Sequence, residues 1–199
     1  MKTVEFIFDF ASPNAYFSLK VLREIVARTG ATLTITPCLL GGIFKATGNQ
    51  APMIAFAPIK GKMDYEMLET RRFVAAHGLS KFKMNPHFPI NSIHAIRGLI
   101  VAQNQGVADT YIDAILAGFW EQGAAMGDQA IIADVLNRTG LDGPTIMAAT
   151  ADADIKATLM TNTEHAVTRG AFGIPTFFVG EDMYFGKERL DQIEAALQA

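Results

Sequence analysis

An apolar strand that breaks on a serine and reopens as a helix constrains this chain more than any other feature. Val4, Phe6, Phe8 and Phe10 alternate with Glu5, Ile7 and Asp9, and this alternation of β-favouring residues predicts a largely buried strand over Thr3–Phe10. Ala11-Ser12-Pro13 interrupts it. Tyr16, Leu19, Leu22, Ile25 and Val26 then recur at helical spacing. Ser12 is a good cap for such a helix, and Pro13 suits its first position because the missing N–H is not needed there. Gly30 is the natural terminator. Thr32–Thr36 alternates again and is rich in β-branched residues, which gives a second strand. A β-α-β unit of this length predicts a parallel pair with a right-handed crossover.

The periodicity then lapses. Gly41-Gly42, Gly48-Asn49-Gln50, Pro52 and Pro58 punctuate residues 41–62, predicting a long ordered loop with one helical turn at Ile43–Thr47. A helix over Met63–His77 stops at Gly78, and a loop with two prolines follows to Pro89. From Ser92 to Gly170 the pattern is helical, in segments 92–104, 108–120, 129–139, 144–150 and 153–169, with Asp128 and Asp152 as candidate caps. Strand signals return at Thr176–Val179 and Met183–Phe185 around a turn at Gly180-Glu181-Asp182, and a helix over Lys187–Leu197 closes the chain. The order β-α-β, helical block, β-β-α predicts an α/β fold: a thioredoxin-like mixed β-sheet of four strands carrying a large all-helical insertion. Residues 1–42 and 166–199 would form the thioredoxin-like domain, and residues 43–165 the connecting loop and helical insertion.

Composition narrows the function classes. The 199 residues are half apolar with a net charge of −3, so there is no basic footprint for nucleic acid or anionic membrane. Cys38 is the only cysteine, which rules out an internal disulfide and a CxxC redox pair. The opening strand has no leader-like basic and apolar regions before it, and no apolar run reaches spanning length, so a cytoplasmic protein is expected. His77, His87, His94 and His165 lack HExxH spacing and cysteine partners, so no metal site is expected. GxGxxG, P-loop and GxSxG motifs are absent from the sequence.

Four stretches carry a resemblance: Asp9-Phe10-Ala11-Ser12-Pro13-Asn14-Ala15-Tyr16, Gly48-Asn49-Gln50, Gly173-Ile174-Pro175-Thr176-Phe177-Phe178-Val179-Gly180, and Phe185-Gly186-Lys187-Glu188-Arg189-Leu190. In this order and spacing the chain resembles the 2-hydroxychromene-2-carboxylate isomerases, relatives of kappa-class glutathione transferases in the DsbA-like branch of the thioredoxin fold. The resemblance implies a glutathione-dependent interconversion of 2-hydroxychromene-2-carboxylate and trans-o-hydroxybenzylidenepyruvate, a step in naphthalene-type catabolism. It implies glutathione as cofactor, a small aromatic carboxylate as substrate, and a homodimer. By position it makes Ser12 the catalytic residue facing the glutathione sulfur. It gives cofactor-binding roles to Asn49, Lys60, Ile174, Pro175 (in the cis form), Phe185, Gly186, Lys187 and Glu188, and sets Lys45 and Asn49 near the substrate. Asn85, in its proline-rich loop, is a further candidate for the substrate pocket.

The chemistry has its own logic. A free thiol with a pKa of about 8.5 is only a few per cent ionised at neutral pH, and lowering that value by roughly two units requires about 2.7 kcal/mol of preferential anion binding. A serine hydroxyl donating to sulfur at a helix N-terminus supplies a sizeable part of this. Ser12 as a nucleophile would need an adjacent base, which the sequence does not show. Plainer readings stand beside these: Ser12 as a helix cap only, Pro175 as an ordinary trans residue, Asn49 as a turn residue, and Lys45, Lys60 and Lys62 as solvated side chains. Phe44, Met53, Phe56, Phe82 and Phe88 suit either a core or an aromatic pocket. A kappa-like glutathione transferase or peroxidase, and a non-catalytic thioredoxin-like binding module, are the alternative functions.

Overall fold

The first strand, β1 (Thr3–Phe8), is shorter than the alternation predicts. The reason is Asp9, whose carboxylate accepts the Ala11 N–H at 3.1 Å and turns the chain locally out of the ladder. The computed structural model describes residues 2–199. Helix α1 (Pro13–Thr29) follows, with Ser12 extended at φ −93°, ψ 117° and its Oγ accepting the Ala15 N–H at 3.3 Å. Gly30 ends it at φ 69°, and its N–H reaches the Val26 carbonyl. Strand β2 (Thr32–Pro37) lies parallel to β1, Thr3 opposite Thr32 and Phe8 opposite Pro37.

The expected long loop is instead largely helical: α2 (Leu40–Thr47) and the single turn α3 (Pro52–Ala55) occupy it. Glycines at 41 and 42 argue against a helix on propensity, at about 1 kcal/mol each. Packing overrides that cost, because a Cβ at Gly42 would sit 3.1 Å from Thr163 Cγ2. A glycine suits this close approach. Helix α4 (Lys62–Ala76) precedes the proline-rich loop, in which Phe88–Pro89 is a cis bond.

The helical block comprises α5 (Ile93–Asn104), α6 (Ala108–Trp120), α7 (Gln129–Asn137), α8 (Gly143–Ala149) and α9 (Ala153–Thr168). Its ends fall within two residues of the periodic segments. Asp128 caps through the Ala130 N–H at 2.8 Å, and Asp152 stands at a cap position without a side-chain bond. Asp142 caps α8 through the Thr145 N–H. Strand β3 (Thr176–Val179) runs antiparallel to β1, and β4 (Asp182–Phe185) antiparallel to β3. A 3-10 turn (Lys187–Arg189) leads into α10 (Leu190–Gln198). The sheet order is β2-β1-β3-β4, one parallel pair and two antiparallel ones, which is the mixed thioredoxin-like sheet the element order predicts.

One apolar cluster joins the sheet to the helical block. Phe6, Phe8 and Phe177 from the sheet, Phe10 from the turn after β1, and Phe119 and Trp120 from α6 are fully buried. Phe10 stacks on Phe119 with ring centroids 6.1 Å apart, and Trp120 Nε1 donates to the Phe10 carbonyl at 2.9 Å. Each such side chain contributes about 1.5–3 kcal/mol of transfer energy. The consequence for function is positional: the exit of β1, where Ser12 begins, is clamped from both sides. Among the described residues, no helix is long and apolar enough to cross a membrane.

Candidate functional site

Ser12 stands at the mouth of α1, 5% exposed. Its Oγ accepts from Ala15 N and donates to the Ile174 carbonyl at 3.2 Å, across 162 residues of sequence. Ile174–Pro175 is a cis bond, which answers the open choice between a cis and an ordinary trans proline. Among the described residues no basic side chain contacts the Ser12 hydroxyl, and the Ile174 N–H has no hydrogen-bond partner. The proton of Ser12 is therefore given to a neutral carbonyl, an exchangeable partner. An unpaired backbone N–H beside an extended segment is a site where an added peptide strand can pair.

Other expected residues gather here. The Gly186 N–H donates to the Pro175 carbonyl at 3.0 Å. Phe185 lies so close to Gly173 that a Cβ there would meet its ring at 3.0 Å. Asn49, exposed at the end of α2, donates from Nδ2 to the Phe172 carbonyl at 2.7 Å and stands 3.9 Å from a Cβ built at Gly173. Phe172 and Phe185, both substantially exposed, pack with ring centroids 4.4 Å apart. Lys187 is buried, with its ammonium against Glu188 and 5.6 Å from the centre of the Phe73 ring. Burial pushes the Glu188 carboxyl up, but the hydrogen bond from Lys187, a backbone hydrogen bond and the charges of Lys187 and Arg189 together hold the group below the ordinary carboxylate value.

Three expected residues lie elsewhere or stand apart. Asn85 is buried, and its amide is committed to backbone: Nδ2 donates to Phe119 O at 2.8 Å and Ala124 O at 2.9 Å, while Oδ1 accepts the His87 N–H. It fastens its loop to the end of α6. Lys45 lines a groove between α2, α5 and α9 that Ser12 does not enter. Lys60 is exposed in the turn before α4 and makes no ion pair among the described residues, whereas nearby Lys62 pairs with Glu66 at 2.7 Å.

Beneath Ser12 lies a group the sequence reading gave no role. Asp9 is fully buried and accepts from Leu40 N at 2.8 Å, Ala11 N at 3.1 Å and the Ser92 hydroxyl. It thus ties the Ser12 loop to the starts of α2 and α5. Burial pushes its carboxyl above the ordinary value, against the pull of these donors. A carboxylate preceding a serine gave no signal of this, because its partners come from two distant elements. Cys38 is also buried, and burial together with the charges of Asp9 and Glu5 pushes its thiol up to about 12. No thiolate comes from the chain itself at neutral pH. Among the described residues no cluster of His, Cys, Asp and Glu is placed to hold a metal ion.

Comparison with known proteins agrees with the fold. The family profile described as DSBA-like thioredoxin domain matches residues 3–198. A 2-hydroxychromene-2-carboxylate isomerase from Pseudomonas putida is 26% identical over 196 residues, covering 98% of this chain and 93% of that protein. Glutathione S-transferase kappa 1 from Rattus norvegicus is 24% identical, covering 96% of this chain and 88% of that one. A solved structure of a 2-hydroxychromene-2-carboxylate isomerase superposes with a TM-score of 0.84 at 25% identity, covering 98% of this chain and 94% of that one.

Proposed function

The chain belongs to the DSBA-like thioredoxin domain family, and from that premise we propose that it is a glutathione-dependent isomerase of 2-hydroxychromene-2-carboxylate or a close aromatic relative. One observation carries the proposal. A buried hydroxyl at a helix mouth is bonded only to a neutral carbonyl and an amide, beside a cis-proline turn with a free N–H. That arrangement suits stabilising an incoming anion and does not suit forming an alkoxide.

Glutathione, held between Ser12 and the Ile174–Pro175 turn, would supply a nucleophilic thiolate for reversible addition to a conjugated substrate. The chain's residues do the rest. Ser12, whose proton rests on Ile174 O, would donate it to a thiolate held there, in a charge-assisted hydrogen bond reinforced by the positive end of α1. The Ile174 N–H, without a partner in the chain, would pair with the tripeptide backbone. Lys187 and Glu188, adjacent and of opposite charge, match the zwitterionic γ-glutamyl end, with Gly186 keeping that stretch close to Pro175. Asn49 and Lys60 offer further polar contacts, and the exposed Phe172 and Phe185 rings supply an apolar wall for an aromatic body. Cys38, buried and protonated, takes no part.

The test is turnover of 2-hydroxychromene-2-carboxylate with substoichiometric glutathione. The proposal expects many turnovers per glutathione, with total free thiol constant. Stoichiometric thioether would favour the kappa-type transferase, to which several relatives at 23–25% identity point. Absence of glutathione binding by calorimetry would remove both and leave a binding module.

A further inference from the structure

A concavity of about 490 Å³ lies where α2, α5 and α9 meet. None of Ser12, Ile174, Pro175 or Phe185 lines it. Much of its lining is apolar, with Leu39, Ile93 and Leu159 among the residues. Its charged rim is unbalanced: Lys45 from α2, Arg97 from α5 and Lys156 from α9 face a single acid, Glu164. Among the described residues none of these four enters an ion pair. Arg97 brings a guanidinium to this lining without an ion pair, and its Nε is buried without a hydrogen-bond partner. Its charge also reaches His94, where burial first and Arg97 second hold the imidazole below its ordinary value.

An occupant must satisfy both halves of this lining. A bare inorganic anion would leave the apolar lining wet, and a neutral hydrocarbon would leave the three cations against one acid uncompensated. The volume falls in the range of small-molecule pockets. We propose that this groove is a binding site, separate from the Ser12 cluster, for small organic carboxylates with an apolar body. The inference goes beyond the isomerase proposal and does not depend on it.

Calorimetric titration of the full chain tests it, using 2-naphthoate, its neutral isostere 2-naphthamide, and inorganic phosphate as probes. Saturable naphthoate binding is expected, weakened about tenfold or more by Arg97→Gln and by Lys156→Gln and unchanged by Ser12→Ala. Naphthamide and phosphate should each bind at least about tenfold more weakly than naphthoate. Lys156 is exposed, so its variant stays readable even if Arg97→Gln does not fold. Absent naphthoate binding, affinity untouched by both groove substitutions, or equal affinity for the amide would each overturn the proposal. Binding lost only in Ser12→Ala would also overturn it, placing the carboxylate at the Ser12 cluster while leaving the glutathione proposal intact. An acidic peptide displacing naphthoate in a one-to-one complex would likewise overturn it in favour of a protein partner.

Discussion

Replacing Ser12 by alanine removes one oxygen that holds two bonds, and the structure separates their consequences. Without ligand, the Ala15 N–H loses its cap at 3.3 Å and Ile174 O loses its hydroxyl donor at 3.2 Å. A lost cap costs about 1 kcal/mol, and the second bond, long and to a neutral acceptor, about 0.5–1 kcal/mol. Chemical denaturation should therefore register a loss of about 1–2 kcal/mol with an unchanged denaturant slope. With glutathione bound, the same oxygen would donate to a thiolate, a bond worth about 1.5–3 kcal/mol. Converted at 1.36 kcal/mol per unit, the bound thiol's pKa should rise by about 1–2 units. The acid limb of the pH–rate profile should move up by that amount, while the rate at high pH approaches wild type. An acid limb that does not move, in a variant that is folded and destabilised as expected, would refute the reasoning and leave Ser12 a helix cap.

Other outcomes follow from particular contacts. Burial raises the Glu5 carboxyl, but hydrogen bonds from Arg169 and Thr36 outweigh it and hold it below the ordinary value. Its stabilisation is present above the unfolded pKa of about 4.3 and is lost as pH falls through the lower folded value. Glu5→Gln should thus cost about 1 kcal/mol at neutral pH, a gap that closes on acidification, as read from melts across that range. At Gly143 an added Cβ would lie 2.2 Å from Ala133 O and 2.6 Å from its Cα, so Gly143→Ala must push α8 off α7. A loss of about 3 kcal/mol or more is expected in thermal melts. Cys38, with its thiol pushed up to about 12, should resist iodoacetamide in the native protein and react once unfolded, as mass spectrometry would count.

How much of this was legible beforehand depended on where each residue's partners lie. The β-α-β opening and the closing hairpin are local patterns, and their elements appear nearly where the alternation sets them. Helix α2 contains the helical turn expected at Ile43–Thr47. Its start at Leu40 was not legible, because glycine propensity at 41 and 42 points away from a helix and the neighbour Thr163 lies far along the chain. The cap role of Ser12 is written in Ser12-Pro13, but its meeting with Ile174 spans 162 residues and came only with the family resemblance. Asn85 illustrates the reverse case. A polar residue among prolines suggests a pocket wall, yet its amide is used up by Phe119 and Ala124. Asp9 gave no warning, since Leu40 and Ser92 complete its environment from two other elements.

The central claim is that the chain holds a thiolate it does not itself contain. Ultraviolet titration of glutathione bound to the wild-type protein measures that directly, because the thiolate absorbs and the thiol does not. The account predicts a bound-thiol pKa of about 6.5, roughly two units below the free value of about 8.5. A bound thiol titrating at or above the free value would contradict it.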